Sequence, residues 1–195
     1  MNSKIAITKC LSYKSKLVED SVGRAIDLLG GISNFIKPGS KVLLKPNLLM
    51  GVAPEAGVCT HPEVIRAVIK ILKEINCEIS LGDSPSAWGM HIENVDNVYE
   101  LTGVKELCRE ENIKLIKFEN RRWHGKFVLT TAIDNCDTII SIPKFKTHGL
   151  TTLTGAVKNL FGFVSGTYKT ELHKKHLNIL NINMLKLKRQ PRLVD

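Results

Sequence analysis

Short apolar runs alternate along the chain with longer segments in which apolar residues recur every three or four positions. The runs predict five strands, with the sequences KIAITKC, KVLLKPNLL, EISLGDSP, KLIKFE and DTIISIPKF. Alternating strands and helices are typical of βαβ units and a mostly parallel sheet. We therefore expect an α/β fold, with a Rossmann-like sheet, helices on both faces and KFVLTTAID as an added antiparallel edge strand.

Three segments between these strands have the periodicity of amphipathic helices. The first ends at Gly30 and Gly31, and the third covers residues 95–111. The second begins with Thr60 and Glu63, which are spaced as a capping box.

A fourth helix is predicted from TTLTGAVKNLFG, whose threonines precede the helix and whose glycine ends it. Lys158 and Asn159 fall away from the apolar face on a helical wheel. That face comprises Leu153, Ala156, Val157, Leu160 and Phe161.

Polar residues follow three of the predicted strands, at the carboxyl end of each. They are Lys45 and Asn47 after the second run, Asp83 and Ser84 after the third, and Lys144, Lys146, Thr147 and His148 after the last. The carboxyl ends of parallel strands border the crevice in which such sheets bind ligands. The start of the second helix, at Thr60 and His61, is expected at the same edge, where free backbone N–H groups favour an anion.

This pattern predicts a site for an anionic ligand. Lys45, Lys144 and Lys146 have no acidic neighbour in the sequence, so an anion would supply the counter-charge. Asp83 and His148 are candidate catalytic residues that move a proton, although Asp83 could equally cap a turn and His148 could be structural. The expected ligand-binding residues are Lys45, Asn47, Thr60, His61, Ser84, Lys144, Lys146, Thr147, Lys158 and Asn159.

The formal net charge of +9 raises the alternative of nucleic-acid binding. Seven basic and two acidic residues lie between residues 169 and 195, so more than half of the excess belongs to the tail. Aromatic residues are 6% of the chain, which disfavours base stacking. We divide the chain into an α/β domain, 1–166, and a basic tail, 167–195, that is helical, disordered or the result of truncation.

Cysteine spacing and hydropathy bear on whether the protein holds a metal, spans a membrane or is secreted. The five cysteines include no C-x-x-C pair, so no metal site is predicted. No apolar run reaches the roughly 18 residues of a membrane span, and the N-terminus has no signal-peptide core. A cytoplasmic protein is expected.

The segments LLKPNLL, CTHPEVIRAVI, GDSPS and IPKFKTHGLTTLTGAVKNLFGFVSGTYKTELH resemble the bacterial and archaeal family catalogued as domain of unknown function number 362. The resemblance covers about residues 4–176. It implies an α/β domain, and longer relatives carry ferredoxin-like modules with 4Fe–4S clusters. Association with an iron–sulfur redox system, and a ferredoxin-like protein or domain as partner, follow as expectations.

Two departures from the family affect the interpretation. The chain ends after a divergent basic tail where relatives continue into a second half, and it has no C-x-x-C-x-x-C run. We interpret it as a truncated or frame-disrupted copy that does not itself bind a cluster, and its cofactor is unknown. The leading hypothesis is an anion-binding domain of an oxidoreductase or cofactor-maturation system; the alternatives are nucleic-acid binding through the tail and an inactive fragment.

Overall fold

A computed structural model describes residues 4–85, 87–88, 91–92, 94–125, 127–149, 152–164 and 192–194. In chain order its strands are β1 Lys41–Pro46, β2 Glu78–Leu81, β3 Ala87–Trp88, β4 His91–Ile92, β5 Lys114–Leu115, β6 Arg121–His124, β7 Phe127–Thr130, β8 Thr138–Ile142, β9 Lys146–His148, β10 Thr152–Thr154 and β11 Arg192–Val194. Its α-helices are α1 Ser15–Leu28, α2 Pro62–Glu74, α3 Val95–Leu101, α4 Val104–Glu110 and α5 Ala156–Asn159. Short 3₁₀ helices cover Ile32–Asn34, Pro54–Ala56, Thr131–Asn135 and Leu160–Phe163.

The main sheet is parallel, which confirms the α/β class. Its four principal strands lie in the order β8-β1-β2-β5, and the short β11 pairs in parallel with the outer side of β8. The antiparallel strand predicted from KFVLTTAID is present as β7, but it pairs with β6 in a hairpin rather than with the main sheet. Two further antiparallel pairs, β3 with β4 and β9 with β10, are equally separate from the main sheet.

Successive residues of the central strands pack into two hydrophobic cores, one on each face of the sheet. Val42 and Leu44 of β1 join the core formed with α2, α3 and α4, whereas Leu43 joins the opposite core. On that side the sheet is covered by the 3₁₀ helix Thr131–Asn135, by β7 and by the 3₁₀ helix Leu160–Phe163. Because both faces are buried, the central strands carry consecutive apolar residues over most of their length in the sequence.

The first predicted strand, KIAITKC, is wrong. Residues 4–10 form no strand, and the side chains of Ile5 and Ile7 are 83% and 88% exposed. The segment bonds to α1 instead, because Thr8 Oγ1 donates to the Ser21 carbonyl and Ser21 Oγ donates to the Lys9 carbonyl. Alternating apolar residues therefore appear here without a partner strand.

Two predicted helices are also corrected. The helix expected over residues 95–111 is two helices, α3 and α4, because Gly103 between them has φ of +74°. The helix expected from TTLTGAVKNLFG is a strand, β10, followed by the one-turn α5 and a 3₁₀ helix. Gly155, which separates β10 from α5, has the extended backbone of φ −151°.

Most of the predicted tail, 167–195, lies outside the described residues, so its expected helical or disordered state stays a prediction. Among the described residues, no helix has both the length and the apolar character needed to cross a membrane. The predicted cytoplasmic location also stays a prediction.

Candidate functional site

The parallel register brings the three polar strand ends to one edge of the sheet. Leu44 of β1 pairs with Leu81 of β2, and Pro46 pairs with Ile142 of β8. The residues that follow each strand, Asn47, Asp83 and Lys144 among them, therefore lie at the same edge. This confirms the expected placement, and the roles assigned to these residues remain predictions.

A buried ion pair joins two of the strand ends. Lys45 is 1% exposed, and its Nζ lies 2.5 Å from Oδ1 of Asp83. The ammonium also donates to the carbonyl of Pro46 at 2.8 Å and to Oδ1 of Asn159 at 3.1 Å. Three acceptors thus match the three protons of a lysine ammonium.

The surroundings of Asp83 correct the expectation that Lys45 lacks a counter-charge. Oδ2 of Asp83 accepts from the backbone N–H of Leu48 at 2.8 Å, and Oδ1 accepts from the N–H of Ser84 at 2.7 Å. Burial lowers the pKa of Lys45, and the charge of Asp83 opposes that effect. Asp83 is therefore an internal counter-ion that also fixes the loops after β1 and β2.

Asn159 connects this ion pair to two strands, contrary to the predicted outward direction of its side chain. Its Nδ2 donates to the Lys45 carbonyl and to Ser141 Oγ, each at 3.0 Å, and the residue is 3% exposed. Val157 and Leu153, predicted to be buried, are 55% and 46% exposed. The helical wheel fails because α5 has a single turn and Leu153 belongs to β10.

Gly162 closes over the ion pair. A Cβ atom at this position would lie 2.5 Å from both Asp83 Oδ1 and Lys45 Nζ, so no side chain fits without displacing the pair. The ring of Phe163 lies beside the same ammonium, with 5.8 Å between Nζ and the ring centroid. The 3₁₀ helix after α5 thus excludes solvent from Lys45 and Asp83.

The start of α2 differs by one residue from the predicted capping box. His61 is the N-cap, with Nδ1 accepting from the N–H of Glu63 at 3.2 Å. Thr60 instead joins two strand ends, because its Oγ1 accepts from the N–H of Asn47 and donates to the carbonyl of Ile142. Burial is the main cause that lowers the pKa of His61, which suits its role as an acceptor.

Lys144, Lys146 and Lys158, here called the lysine cluster, are near enough for the charge of Lys144 to act on Lys146 and for the charge of Lys146 to act on Lys158. Lys146 Nζ donates to the Val58 carbonyl at 2.5 Å, and Lys144 Nζ lies 3.2 Å from the hydroxyl of Tyr13. Among the described residues, no Asp or Glu oxygen lies within 4.0 Å of these three ammonium groups.

The pKa values of the two half-buried members of the lysine cluster, Lys146 and Lys158, are lowered by burial first and then by neighbouring lysines. Burial lowers the pKa of Lys146, and the charge of Lys144 lowers it further. Burial also lowers the pKa of Lys158, followed by the charges of Lys146 and Lys45. The cluster is therefore a half-buried concentration of positive charge.

Comparison with known families identifies the chain. The family model described as Domain of unknown function (DUF362) matches residues 42–192. The chain belongs to this family. It is also 34% identical, over 179 residues, to the thylakoid-associated protein sll1697 of Synechocystis sp.. That alignment covers 89% of this chain and 54% of the relative, so the chain spans about half the length of the curated relative it matches.

The remaining residues predicted to bind the ligand or move a proton include Thr147, His148 and Asn47. Thr147 and His148 belong to β9, where Thr147 is exposed and His148 is half-buried opposite Thr152 of β10. Asn47 has a buried Oδ1 that accepts no hydrogen bond from the part of the chain that the structure describes. Among the described residues, no group of three or more His, Cys, Asp or Glu side chains is placed to hold a metal ion.

Sequence reasoning missed several residues that build the carboxyl-terminal edge of the main sheet. The hydroxyl of Tyr99 accepts from the N–H of Asp83 at 3.0 Å and donates to the carbonyl of Ile116 at 2.9 Å. Ser141 supports Asn159, and the polar serine inside the apolar run TIISI was a signal for it. Tyr13, which stacks on the ring of His61 with centroids 3.7 Å apart, gave no signal in the sequence.

Proposed function

We propose that this DUF362 domain binds an anionic small molecule or cofactor, bearing phosphate or carboxylate, at the lysine cluster. The observation that carries the proposal is the half-buried pair Lys146 and Lys158, whose pKa values are lowered and which lie near no carboxylate of the described residues. Clustered ammonium groups destabilise one another, and an anion between them removes that repulsion while forming charge-assisted hydrogen bonds.

In this proposal the ion pair between Lys45 and Asp83 supports the site and does not itself bind the ligand. Lys45 is already neutralised by Asp83 and saturated by Pro46 and Asn159, so its part is to hold the edge in place. The ligand's charge is then met by Lys144, Lys146 and Lys158. Lys45 and Asn159 thus belong to the proposed site as residues that hold the strand ends in position.

Asn47 adds a requirement on the ligand. Its buried Oδ1 lacks a donor, and an unpaired buried acceptor costs free energy. Since this oxygen has almost no accessible surface, the Asn47 side chain would rotate so that a ligand hydroxyl or amine near the anionic group donates to it. We therefore infer that the ligand carries a hydrogen-bond donor beside its charge, with Thr60, His61, Ser84 and Thr147 shaping the surrounding edge.

We further propose that the domain acts with an iron–sulfur redox partner, such as a ferredoxin-like protein, in the cytoplasm. The family resemblance supports this association. In a reaction with that redox partner, His148 of the β9–β10 hairpin would be the residue that moves a proton.

A thermal-shift screen tests the anion site. Inorganic phosphate, pyrophosphate and citrate should raise the melting temperature, by roughly 5–10 °C at one hundred times the dissociation constant. The double variant Lys146→Met/Lys158→Met should lose this shift, since methionine keeps an apolar stem and removes the charge. Lys37→Met, at an exposed position, is the matched control. An equal shift in the double variant, or no shift with any of the anions, would refute the proposal.

The alternative of nucleic-acid binding concerns residues 167–195, most of which lie outside the described residues. It stays a prediction, and it is tested by salt-titrated binding to duplex and single-stranded probes. Deletion after Gly166 should abolish that binding if the tail is its cause.

A further inference from the structure

An apolar cavity of about 430 Å³ lies beside the lysine edge, between α1, α2 and one face of β8. Val22 and Ala25 of α1, Val68 of α2 and Ile140 and Ile142 of β8 contribute to its walls. The volume lies within the range of small-molecule sites, which are mostly apolar with few polar groups. The cavity is open to solvent on one side, so a ligand can enter it.

The N-terminal segment, residues 4–11, helps to keep this cavity open. Its small side chains Ala6, Thr8 and Cys10 line the cavity, whereas the bulky Ile5 and Ile7 point away and are exposed. A segment selected only to complete the core would place its large apolar residues inward. The observed direction leaves space against the sheet.

The cavity has a cationic group at one end. Tyr13 and Pro143 both line it, and Pro143 directly follows β8. Lys144 Nζ contacts the hydroxyl of Tyr13 at 3.2 Å and lies 5.8 Å from the centre of its ring. An apolar chamber thus ends at a lysine of the same cluster that is proposed to bind an anion.

We propose that the cavity binds the hydrocarbon chain of a single-chain anionic amphiphile, whose carboxylate or phosphate head lies at Lys144. Charge complementarity at one end and apolar walls elsewhere select a ligand with these two parts. The inference rests on the proposed function, because the head is the anion bound by the lysine cluster. It adds the chemical class of the ligand, which is fatty-acid-like or an alkyl phosphate.

A chain-length series tests this inference on the full chain. Acetate, butyrate, octanoate and dodecanoate, and inorganic phosphate with dodecyl phosphate, are titrated calorimetrically below their micelle concentrations. Affinity should rise by up to about fourfold for each buried methylene, until the cavity is filled, with one ligand per chain. Affinity independent of chain length would overturn the inference and leave the anion site intact, whereas failure of all ligands would overturn both.

Two variants locate the chain and the head. Ala25→Phe should fill the cavity and abolish the rise in affinity with chain length, while phosphate binding persists. Leu28→Phe, on the exposed side of the same helix, should leave that rise in affinity unchanged. Ala25→Leu serves if the phenylalanine variant does not fold. Lys144→Met should weaken the short and long ligands by the same factor. If Ala25→Phe and Ala25→Leu both bind dodecanoate as the parent does, the ligand lies elsewhere and the inference is wrong.

Discussion

Lys45 and Asp83 form a charged pair in a part of the molecule from which solvent is excluded. Their side chains are 1% and 3% exposed, and every proton of the ammonium has an acceptor. Desolvation makes such pairs poor sources of stability compared with apolar packing, but removal of one member leaves an uncompensated charge. The pair therefore fixes the geometry of the three strand ends.

Replacement of Asp83 should test this role. Asp83→Asn should lower the free energy of unfolding by about 3–5 kcal/mol, because Lys45 is left buried without a counter-ion. Urea denaturation followed by circular dichroism measures the loss. Glu100→Gln is the control, since its ion pair with Lys105 is exposed and should contribute little. A loss no larger than that of the control would show that Lys45 is not held charged by Asp83.

For individual residues, the sequence predicted which lysines lie at strand ends but not which residues they pair with. Lys144 and Lys146 were recognisable because they follow an apolar run, and this makes them candidates for the end of a strand. The counter-ion of Lys45 was not recognisable, because its proximity depends on the register of β1 with β2. The same is true of Thr60, whose hydroxyl bridges the ends of β1 and β8.

Among the elements, those buried on both faces were the easiest to predict. β1, β2 and β8 lie within the predicted runs, because a parallel strand covered on both faces needs consecutive apolar residues. KIAITKC has a similar pattern but bonds to α1, and pairing with a strand is a tertiary property that periodicity does not report. The prediction failed for the segment from β10 to the last 3₁₀ helix because none of its elements is longer than four residues, so no helical face repeats along it.

The packing of that last 3₁₀ helix on the ion pair gives a prediction for Gly162. Gly162→Ala should destabilise the protein by about 1–3 kcal/mol, because the new Cβ overlaps the buried Asp83 and Lys45 atoms. Thermal unfolding measures the change. Gly149→Ala is the matched control, since a Cβ there meets no atom within 4 Å. Equal melting temperatures for the two variants would contradict the described packing.

In the molecule as a whole, the lysine cluster and the apolar cavity meet at the carboxyl end of β8. Tyr13, Pro143 and Lys144 belong to the boundary between them. The lysine cluster favours a negatively charged group, and the cavity favours an apolar one. Their junction is the reason for proposing one ligand with two chemical parts.

The central claim is that an anion binds between Lys146 and Lys158, and it is tested most directly by NMR titration of the lysine side chains. In the free protein, the pKa values of both lysines should lie below their ordinary value of 10.5. Between those lowered values and 10.5 the unfolded chain binds more protons, so the free energy of unfolding should rise with pH in this window. A bound anion reverses the shift, so binding takes up protons and weakens as pH rises.

The measurement follows the ε-CH₂ resonances of Lys144, Lys146 and Lys158, assigned with the single methionine variants, as pH is raised with and without pyrophosphate. We predict lowered pKa values for Lys146 and Lys158 in the free protein, and an increase of both when pyrophosphate is present. If pyrophosphate leaves the pKa values and resonances of the cluster unchanged, the lysines are not an anion site.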